Sequence, residues 1–301
     1  MSARQSLLLR LTHVAQVGNR PLMPVAITPR IVVLNAVRVA LESTTSIRQL
    51  LQIGELFAFN ANAVRVAVTR LVADGHLESD ERGSYRLGGA AQESQAHVES
   101  WRLGESRIRP WKGEWLAVVF SRKSERSLRR TSLHALSRFG LREGLPGVWV
   151  RPDNLRQPRA SSVERLRGLG LEDGAEVFRA TDFGDALVER FRSELWPIRS
   201  LSRSYESVEN KLARSLAQLD HMPREKALVQ TFLFGGEAIR VLATDPLLPE
   251  QMLACEPRAK LTRTMLHYDE VGRALWKRFA SEPELESVAS HPRARGPGSQ
   301  R

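Results

Sequence analysis

Residues 44–88 read TTSIRQLLQIGELFAFNANAVRVAVTRLVADGHLESDERGSYRLG. Ile47, Leu50, Leu51 and Ile53 recur at helical spacing, and Thr45 or Ser46 offers a hydroxyl to cap that helix. Gly54 breaks the pattern. Asn60 is then a good N-cap for a second helix over about 61–73, with Val64, Val68, Leu71 and Val72 as its apolar stripe. Asp74-Gly75 ends it, because glycine tolerates the left-handed backbone that follows a helix terminus. His76–Ser79 and Ser84–Leu87 read as short strands around the turn Asp80-Glu81-Arg82-Gly83. Leu77, Tyr85 and Leu87 can pack that hairpin onto the helices. The order helix, turn, helix, hairpin is that of a winged helix-turn-helix.

Such an arrangement has a chemistry. Asn62, Arg65, Thr69 and Arg70 fall off the apolar stripe of the second helix. A helix of this kind enters the major groove of duplex DNA, where Arg and Asn pair with base edges. Arg82, Ser84 and Arg86 sit on the hairpin, where a wing meets the backbone or minor groove. The competing reading is a protein–protein adaptor, in which the same arginine face is solvated or meets a partner chain.

Working outward, Pro29 suits the first turn of a helix over about 29–42, the first of this domain. Before it, residues 1–27 form an N-terminal arm, read as a short amphipathic helix, a dimer arm or a consequence of the start site. The segment Leu7–Leu9 is broken by Arg10 and lacks a cleavage signal. Residues 89–108 read as a linker anchored by Trp101.

Residues 109–183 carry β-α-β-α-β patterning with one strand blurred. The elements are Trp115–Phe120, a helix over Ser127–Phe139, a strand over Pro146–Pro152, a helix over Ser162–Gly168 and a strand over Ala175–Ala180. That order suits an open α/β sandwich of ferredoxin-like type. Residues 184–285 are helical, with a kink expected at Gly235-Gly236 and a last helix over about 257–279. The tail 286–301 lacks apolar residues and is expected to be disordered. The whole is an α+β multidomain chain.

The 301 residues carry a net charge of +11, mostly through Arg. That gives generic attraction to polyanions without sequence preference, and a GC-rich genome accounts for arginine excess equally well. A single cysteine, Cys255, excludes an internal disulfide and fits a reducing cytoplasm; it reads as a small packed side chain. Apolar runs are too short to span a membrane. The seven histidines (His13, His76, His97, His134, His221, His267 and His291) form no metal-binding motif. No nucleophile elbow, dinucleotide fingerprint or phosphate loop is present. No catalytic residue, metal or cofactor is expected.

Three stretches together resemble the PaaX family, bacterial repressors of phenylacetate catabolism. They are AVRVAVTRLVADGHLESDERGSYRL (63–87), WKGEWLAVVF (111–120) through LPGVWVRPDN (145–154), and IRVLATDPLLPEQML (239–253). The resemblance covers about 28–285 and implies a winged helix, a middle domain like the CRISPR-associated Cas2 fold and a helical C-terminal domain. It further implies a cytoplasmic homodimer that binds operator DNA and is released by an aryl-acyl-CoA such as phenylacetyl-CoA. Asn62, Arg65, Thr69 and Arg70 would then be recognition-helix residues, and Arg82, Ser84 and Arg86 wing residues.

A coenzyme A thioester needs cations beside apolar walls. Arg109, Trp111, Trp149, Arg151, Trp196, Arg199 and Arg240 have suitable chemistry, although each Trp equally suits a core, and Arg240 with Asp245 equally suits a structural pair. A Cas2-like nuclease needs a carboxylate at the end of the first strand to hold a divalent cation. Here Ser121 and Arg122 stand there, which leaves Asp153 as a lone candidate.

Overall fold

The computed structural model describes residues 27–39, 44–80, 83–89, 91, 98–120 and 126–281. The N-terminal arm, Arg82, Ser121, Arg122, His13, His97, His291 and the tail lie outside the described residues.

The first unit comprises α1 (Pro29–Val39), β1 (Thr45–Ser46), α2 (Ile47–Leu56), α3 (Ala61–Ala73), β2 (Leu77–Ser79) and β3 (Ser84–Leu87). Ser46 caps α2 in a reciprocal box. Its hydroxyl accepts from the Gln49 amide, and the Gln49 side chain returns to the Ser46 amide at 2.9 Å. Thr45 therefore belongs to a strand, paired with Tyr85. The three strands form one antiparallel sheet in the order β1-β3-β2. Gly54 does not end α2, as its sequence position suggested. The helix runs on to Leu56, and Gly54 is buried where a Cβ would lie 2.5 Å from a Val64 methyl. Its lack of a side chain lets α2 and α3 approach closely. Val33, Val37, Leu50, Val64, Val68, Leu71 and Leu77 form the core, with Tyr85 and Leu87 packed against it.

The middle unit is built from β4 (Trp115–Val119), α4 (Arg126–Arg138), β5 (Arg142–Leu145), β6 (Val148–Pro152), α5 (Arg159–Gly168) and β7 (Glu176–Ala180). All neighbouring strands are antiparallel, in the order β5-β6-β4-β7. The strand blurred in the sequence is β5, whose residues Arg-Glu-Gly-Leu carry no alternation. Pro146-Gly147 is the turn joining it to β6 and does not begin the strand, and Gly147 has a φ of +76°.

Four helices follow: α6 (Asp185–Glu194), α7 (Ile198–Leu216), α8 (Arg224–Ala243) and α9 (Glu256–Ser281). Helix α8 runs without a break through Gly235-Gly236. Gly235 is buried facing α9, with Met265 and Tyr268 at ordinary contact distance.

Central strand β4 explains why its sequence, WLAVV, is apolar without alternation. Leu116 and Val118 face α4 and α5, packing with Leu136, Phe139 and Leu166. Trp115 and Ala117 face the opposite way and share a core with Phe191, Trp196, Tyr205 and Met265 of the C-terminal helices. The described part of the expected linker joins that core too. It is a 3-10 helix, Ser100–Arg107, with Trp101 buried among the same residues. The middle and C-terminal units thus share one apolar interior.

Candidate nucleic-acid interface

Helix α3 owes its register to its two ends. Asn60 has an extended backbone, and its Oδ1 accepts from the Ala63 amide at 2.8 Å. At the other end the His76 amide donates to the Leu71 carbonyl and the Gly75 amide to that of Val72, with Gly75 at φ +71°. This double bond over a left-handed glycine turns the chain sharply into β2. Burying Val64, Ala67, Val68 and Leu71 forces the other face outward, so Asn62, Arg65, Val66, Thr69 and Arg70 are exposed. The Thr69 hydroxyl donates to the Arg65 carbonyl at 3.1 Å, fixing its rotamer along the helix.

The hairpin beside α3 is closed by Asp80, whose Oδ1 accepts from the Ser84 amide at 2.8 Å. Ser84 is half-buried, and Arg86 is exposed opposite Glu78 on the paired strand, with an Nη2–Oε2 distance of 2.9 Å. An exposed pair of this kind contributes about 0–1 kcal/mol, so a phosphate can recruit Arg86 at small cost. Arg30 of α1 reaches Asp74 at 2.6 Å and ties the far end of α3 to the domain. Asn62, Arg65, Thr69 and Arg70 therefore share one open face, with Arg86 on the neighbouring hairpin.

The residues considered for a small ligand are dispersed. Trp149 lies on β6 and packs with the cluster under α4 and α5. Trp196 is buried, its Nε1 donating to the Gly140 carbonyl at 3.2 Å. Arg199 is exposed near the start of α7 and Arg240 is half-buried on α8. Arg151 is fully enclosed; it donates to the carbonyls of Phe139 at 2.6 Å, Pro246 at 3.1 Å and Pro152 at 3.2 Å, and to Asn154 Oδ1 at 3.3 Å. Burial, aided by the Arg165 charge, pushes its guanidinium down to about 9, still cationic at neutral pH. With its donors committed, Arg151 works as a staple between β6 and the Pro246 loop.

The Arg240–Asp245 pair, one of the two readings open for Arg240, does not form. Asp245 instead accepts from the Tyr205 hydroxyl, from the Leu247 amide at 2.6 Å and from Arg258 at 3.3 Å. Arg258, wholly buried, also meets Glu105 at 2.7 and 2.8 Å. Although burial opposes its charge, the Asp245 and Glu105 carboxylates hold its guanidinium above the usual range. Burial, then the Asp245 carboxylate, raises the Tyr205 phenol well above its usual value. Asn154 adds a bond from Nδ2 to the Leu247 carbonyl at 2.7 Å. The DPLLP loop, residues 245–249, is thus the meeting point of the 3-10 helix, β6, α7 and α9.

Of the seven, Arg109 and Trp111 border two adjoining open pockets among the described residues. One, of about 370 Å³, is lined by Arg109, Lys112, Glu114, Asp153, Arg156 and Arg179. Its neighbour, of about 290 Å³, is walled by Ile108, Arg109, Pro110, Trp111, Pro249 and Cys255. Asp153, the lone candidate for a nuclease metal, is engaged by Arg179 at 2.9 Å and Arg109 at 3.4 Å. Lys112 and Arg156 escaped the sequence reading. Their signal was the recurrence of cations in RIRPWKG (107–113) and RPDNLRQPR (151–159).

The comparisons with known proteins agree with this layout. Residues 32–91 match the family model described as PaaX-like protein, and residues 108–190 match that of the PaaX central Cas2-like domain. Among solved structures, the chain is similar to the uncharacterized protein Rv0674 from Mycobacterium tuberculosis. The two are 25% identical with a TM-score of 0.57, over 83% of this chain and 97% of that one. No curated protein matches. Among the described residues no helix is long and apolar enough to cross a membrane. Two models of one family thus match in order on the first two structural units, and over those residues the chain is similar to the PaaX family.

Proposed function

We propose that this protein is a DNA-binding transcriptional regulator of an aromatic-acid pathway, phenylacetate catabolism in the first instance, acting as a repressor. Residues 28–88 are read as a winged helix-turn-helix with α3 as its recognition helix, and residues 109–183 as a ferredoxin-like, Cas2-like sandwich. The observation that carries the reading is the open polar face of α3, with Asn62, Arg65, Thr69 and Arg70 exposed beside the hairpin that bears Arg86. In this reading Arg65 and Asn62 would read base edges, Thr69 and Arg70 a base or phosphate, and the expected wing residues Arg82, Ser84 and Arg86 the adjoining backbone. A homodimer with two-fold symmetry presents two such helices to an inverted repeat in the cytoplasm. An aryl-acyl-CoA such as phenylacetyl-CoA releases it.

Release needs a path from ligand to groove, and one contact supports it. The turn between α2 and α3 carries Phe57 and Phe59, which pack with Val229, Phe232, Leu233, Trp276 and Phe279 of α8 and α9. Phe57 and Phe232 meet edge to face at 4.8 Å. Any shift of the α8–α9 pair therefore bears on the residues just before the Asn60 cap of α3. To empty an operator the ligand must favour the shifted state by several kcal/mol.

An electrophoretic shift assay on the protein's own promoter tests the reading. The wild type is expected to retard that DNA. Arg65→Ala should cost about 1–3 kcal/mol and relax preference at one base pair, whereas a lost phosphate contact, as at Arg70→Ala, should weaken all sequences alike and lower the salt slope by about 1. Unchanged retention by Arg65→Ala/Arg70→Ala would remove α3 from the interface and favour the protein-adaptor reading. Phenylacetyl-CoA should abolish the shift; a complex indifferent to it would remove the effector and leave the DNA contact.

A further inference from the structure

We infer that the two pockets meeting at Arg109 form one bipartite site for an organic phosphate with an apolar arm: the Lys112–Arg156 side takes the phosphate and the Trp111–Pro249 side takes the arm. The inference deepens the effector reading above, on which its choice of probes rests.

The larger pocket sets the charge. Four cationic side chains, Arg109, Lys112, Arg156 and Arg179, face two carboxylates, Glu114 and Asp153, leaving an excess of two positive charges. The carboxylates are already used. Arg179 reaches Asp153 at 2.9 Å and Glu114 at 3.5 Å, while Arg109 reaches the same two at 3.4 and 3.7 Å. Among the described residues, Arg156 meets only the main-chain carbonyls of Ser106 at 3.1 Å and Ile108 at 3.4 Å, and Lys112 forms no ion pair. Both are exposed. Two uncompensated cations at the rim of one concavity match the two negative charges of a phosphate or pyrophosphate group better than a single carboxylate, and guanidinium groups bind phosphate through paired N–H donors.

The smaller pocket has the opposite character. Pro110, Trp111 and Pro249 present apolar surface, and Trp111 is braced edge to face against Trp115 at 5.3 Å. Trp111 Nε1 donates to the Glu114 carbonyl at 2.5 Å, so the indole is fixed and its ring wall is preformed. The wall from Pro249 to Cys255 belongs to the loop between α8 and α9 and is held by the Gln251 Nε2 bond to the Trp111 carbonyl at 3.3 Å. Glu250 also lines this pocket, accepting from the Cys255 amide at 2.6 Å, a bond that holds its carboxyl below the usual range. An anion is therefore disfavoured on this side, which orients the ligand with its phosphate toward Lys112 and Arg156. The arm's contact is with the α8–α9 connection, the end of the helix pair opposite to the one that grips the α2–α3 turn.

Isothermal titration of the full chain, without DNA, tests the site with phenylacetyl-CoA, coenzyme A and phenylacetate as separate titrants. The expected order of affinity is phenylacetyl-CoA, then coenzyme A, then phenylacetate. Lys112→Ala/Arg156→Ala should weaken both coenzyme A titrants by about ten-fold or more, the scale of lost charge-assisted bonds. Gln251→Trp, which fills the apolar side, should weaken phenylacetyl-CoA and spare coenzyme A. Both variants alter exposed side chains, and thermal unfolding checks that each retains the native fold. Phenylacetyl-CoA binding that is equal in wild type and Lys112→Ala/Arg156→Ala would overturn the site while sparing the effector reading. Absence of binding by all three titrants would overturn the site and the effector together. Promoter retardation, measured separately on the same variants, reports on the DNA reading alone and should be unchanged in both.

Discussion

The C-terminal helices meet the rest of the molecule at two seams built on opposite principles. Toward the middle unit the seam includes a buried polar hub: Arg258 with Asp245 and Glu105, Tyr205 with Asp245, and Arg151 and Asn154 bonding the carbonyls of Pro246 and Leu247. Toward the α2–α3 turn the contact is an apolar cluster, Phe57 and Val32 against Val229, Phe232 and Trp276. Hydrogen bonds and ion pairs in a low-dielectric interior demand one geometry, and a half-made network is costly. Apolar packing is non-directional, so small rotations exchange one set of contacts for another. The first seam makes the middle and C-terminal units one body. The second imposes no such single geometry on the unit that carries α3.

The largest effect that separates the two seams is expected at Arg258. Arg258→Ala leaves Asp245 and Glu105 without their buried cation and should lower unfolding free energy by about 3–5 kcal/mol in urea titration. A loss under 1 kcal/mol would show the hub to be ornamental to stability and break the contrast. Next comes Phe57→Ala. Its side chain is 2% exposed, and its removal should cost about 3 kcal/mol. Hydrogen exchange should then rise in α2 and α3 before α7–α9; uniform acceleration would mean the seam is no weaker than the hub.

Gly54→Ala probes the same unit from inside. Its new methyl group would press on Val64 and should cost about 1–3 kcal/mol by thermal unfolding, with no change in the C-terminal core. A double-mutant cycle on Phe57 and Phe232 should return a coupling of about 1 kcal/mol, and a coupling near zero would remove the edge-to-face contact from the path between the units. The smallest effect concerns Cys255, at the rim of the hub beside Arg258. Burial and then the Glu250 contact push its thiol up to about 12. The folded state therefore holds this proton, a contribution present below pH 9 and lost as pH rises from about 9 toward 12. Alkylation by iodoacetamide at pH 8 should be slower in the native protein than in urea, and equal rates would refute the raised value.

How much was legible follows the range of each interaction. The cap at Asn60, the stop at Gly75, the stripe of α3 and the hairpin are all set within a few residues, so residues 44–88 announce them directly. The strand Arg142–Leu145 was blurred because its pattern is filled by tertiary neighbours; Gly144 sits against Phe191 and Val150, contacts invisible in a window of four residues. Gly54 and Gly235 misled for a related reason. Each reads locally as a breaker, yet each lies inside a helix: Gly54 where a Cβ would strike Val64, and Gly235 facing α9 at ordinary contact distance. A pair of Arg240 with Asp245 is open in the sequence, whereas the arginine that reaches Asp245 is Arg258, thirteen residues on. The ligand candidates were chosen by residue type alone, and type does not reveal burial: Arg151 and Trp196 spend their donors inside the molecule, while Lys112 and Arg156 border an open pocket.

By itself, then, the amino-acid order determined the local units of this protein: a capped helix with an outward arginine face, a turn-closed hairpin, a central strand too apolar to lie at a surface, and a helical C-terminal third. Hydrogen bonds within a few residues and side-chain periodicity are enough for that. Tertiary structure alone decided which cations among the described residues are buried as staples and which border an open pocket, and which seam between units is polar and which apolar. Those outcomes depend on carboxylates and carbonyls supplied by distant segments, as when Glu105 and Asp245 converge on Arg258.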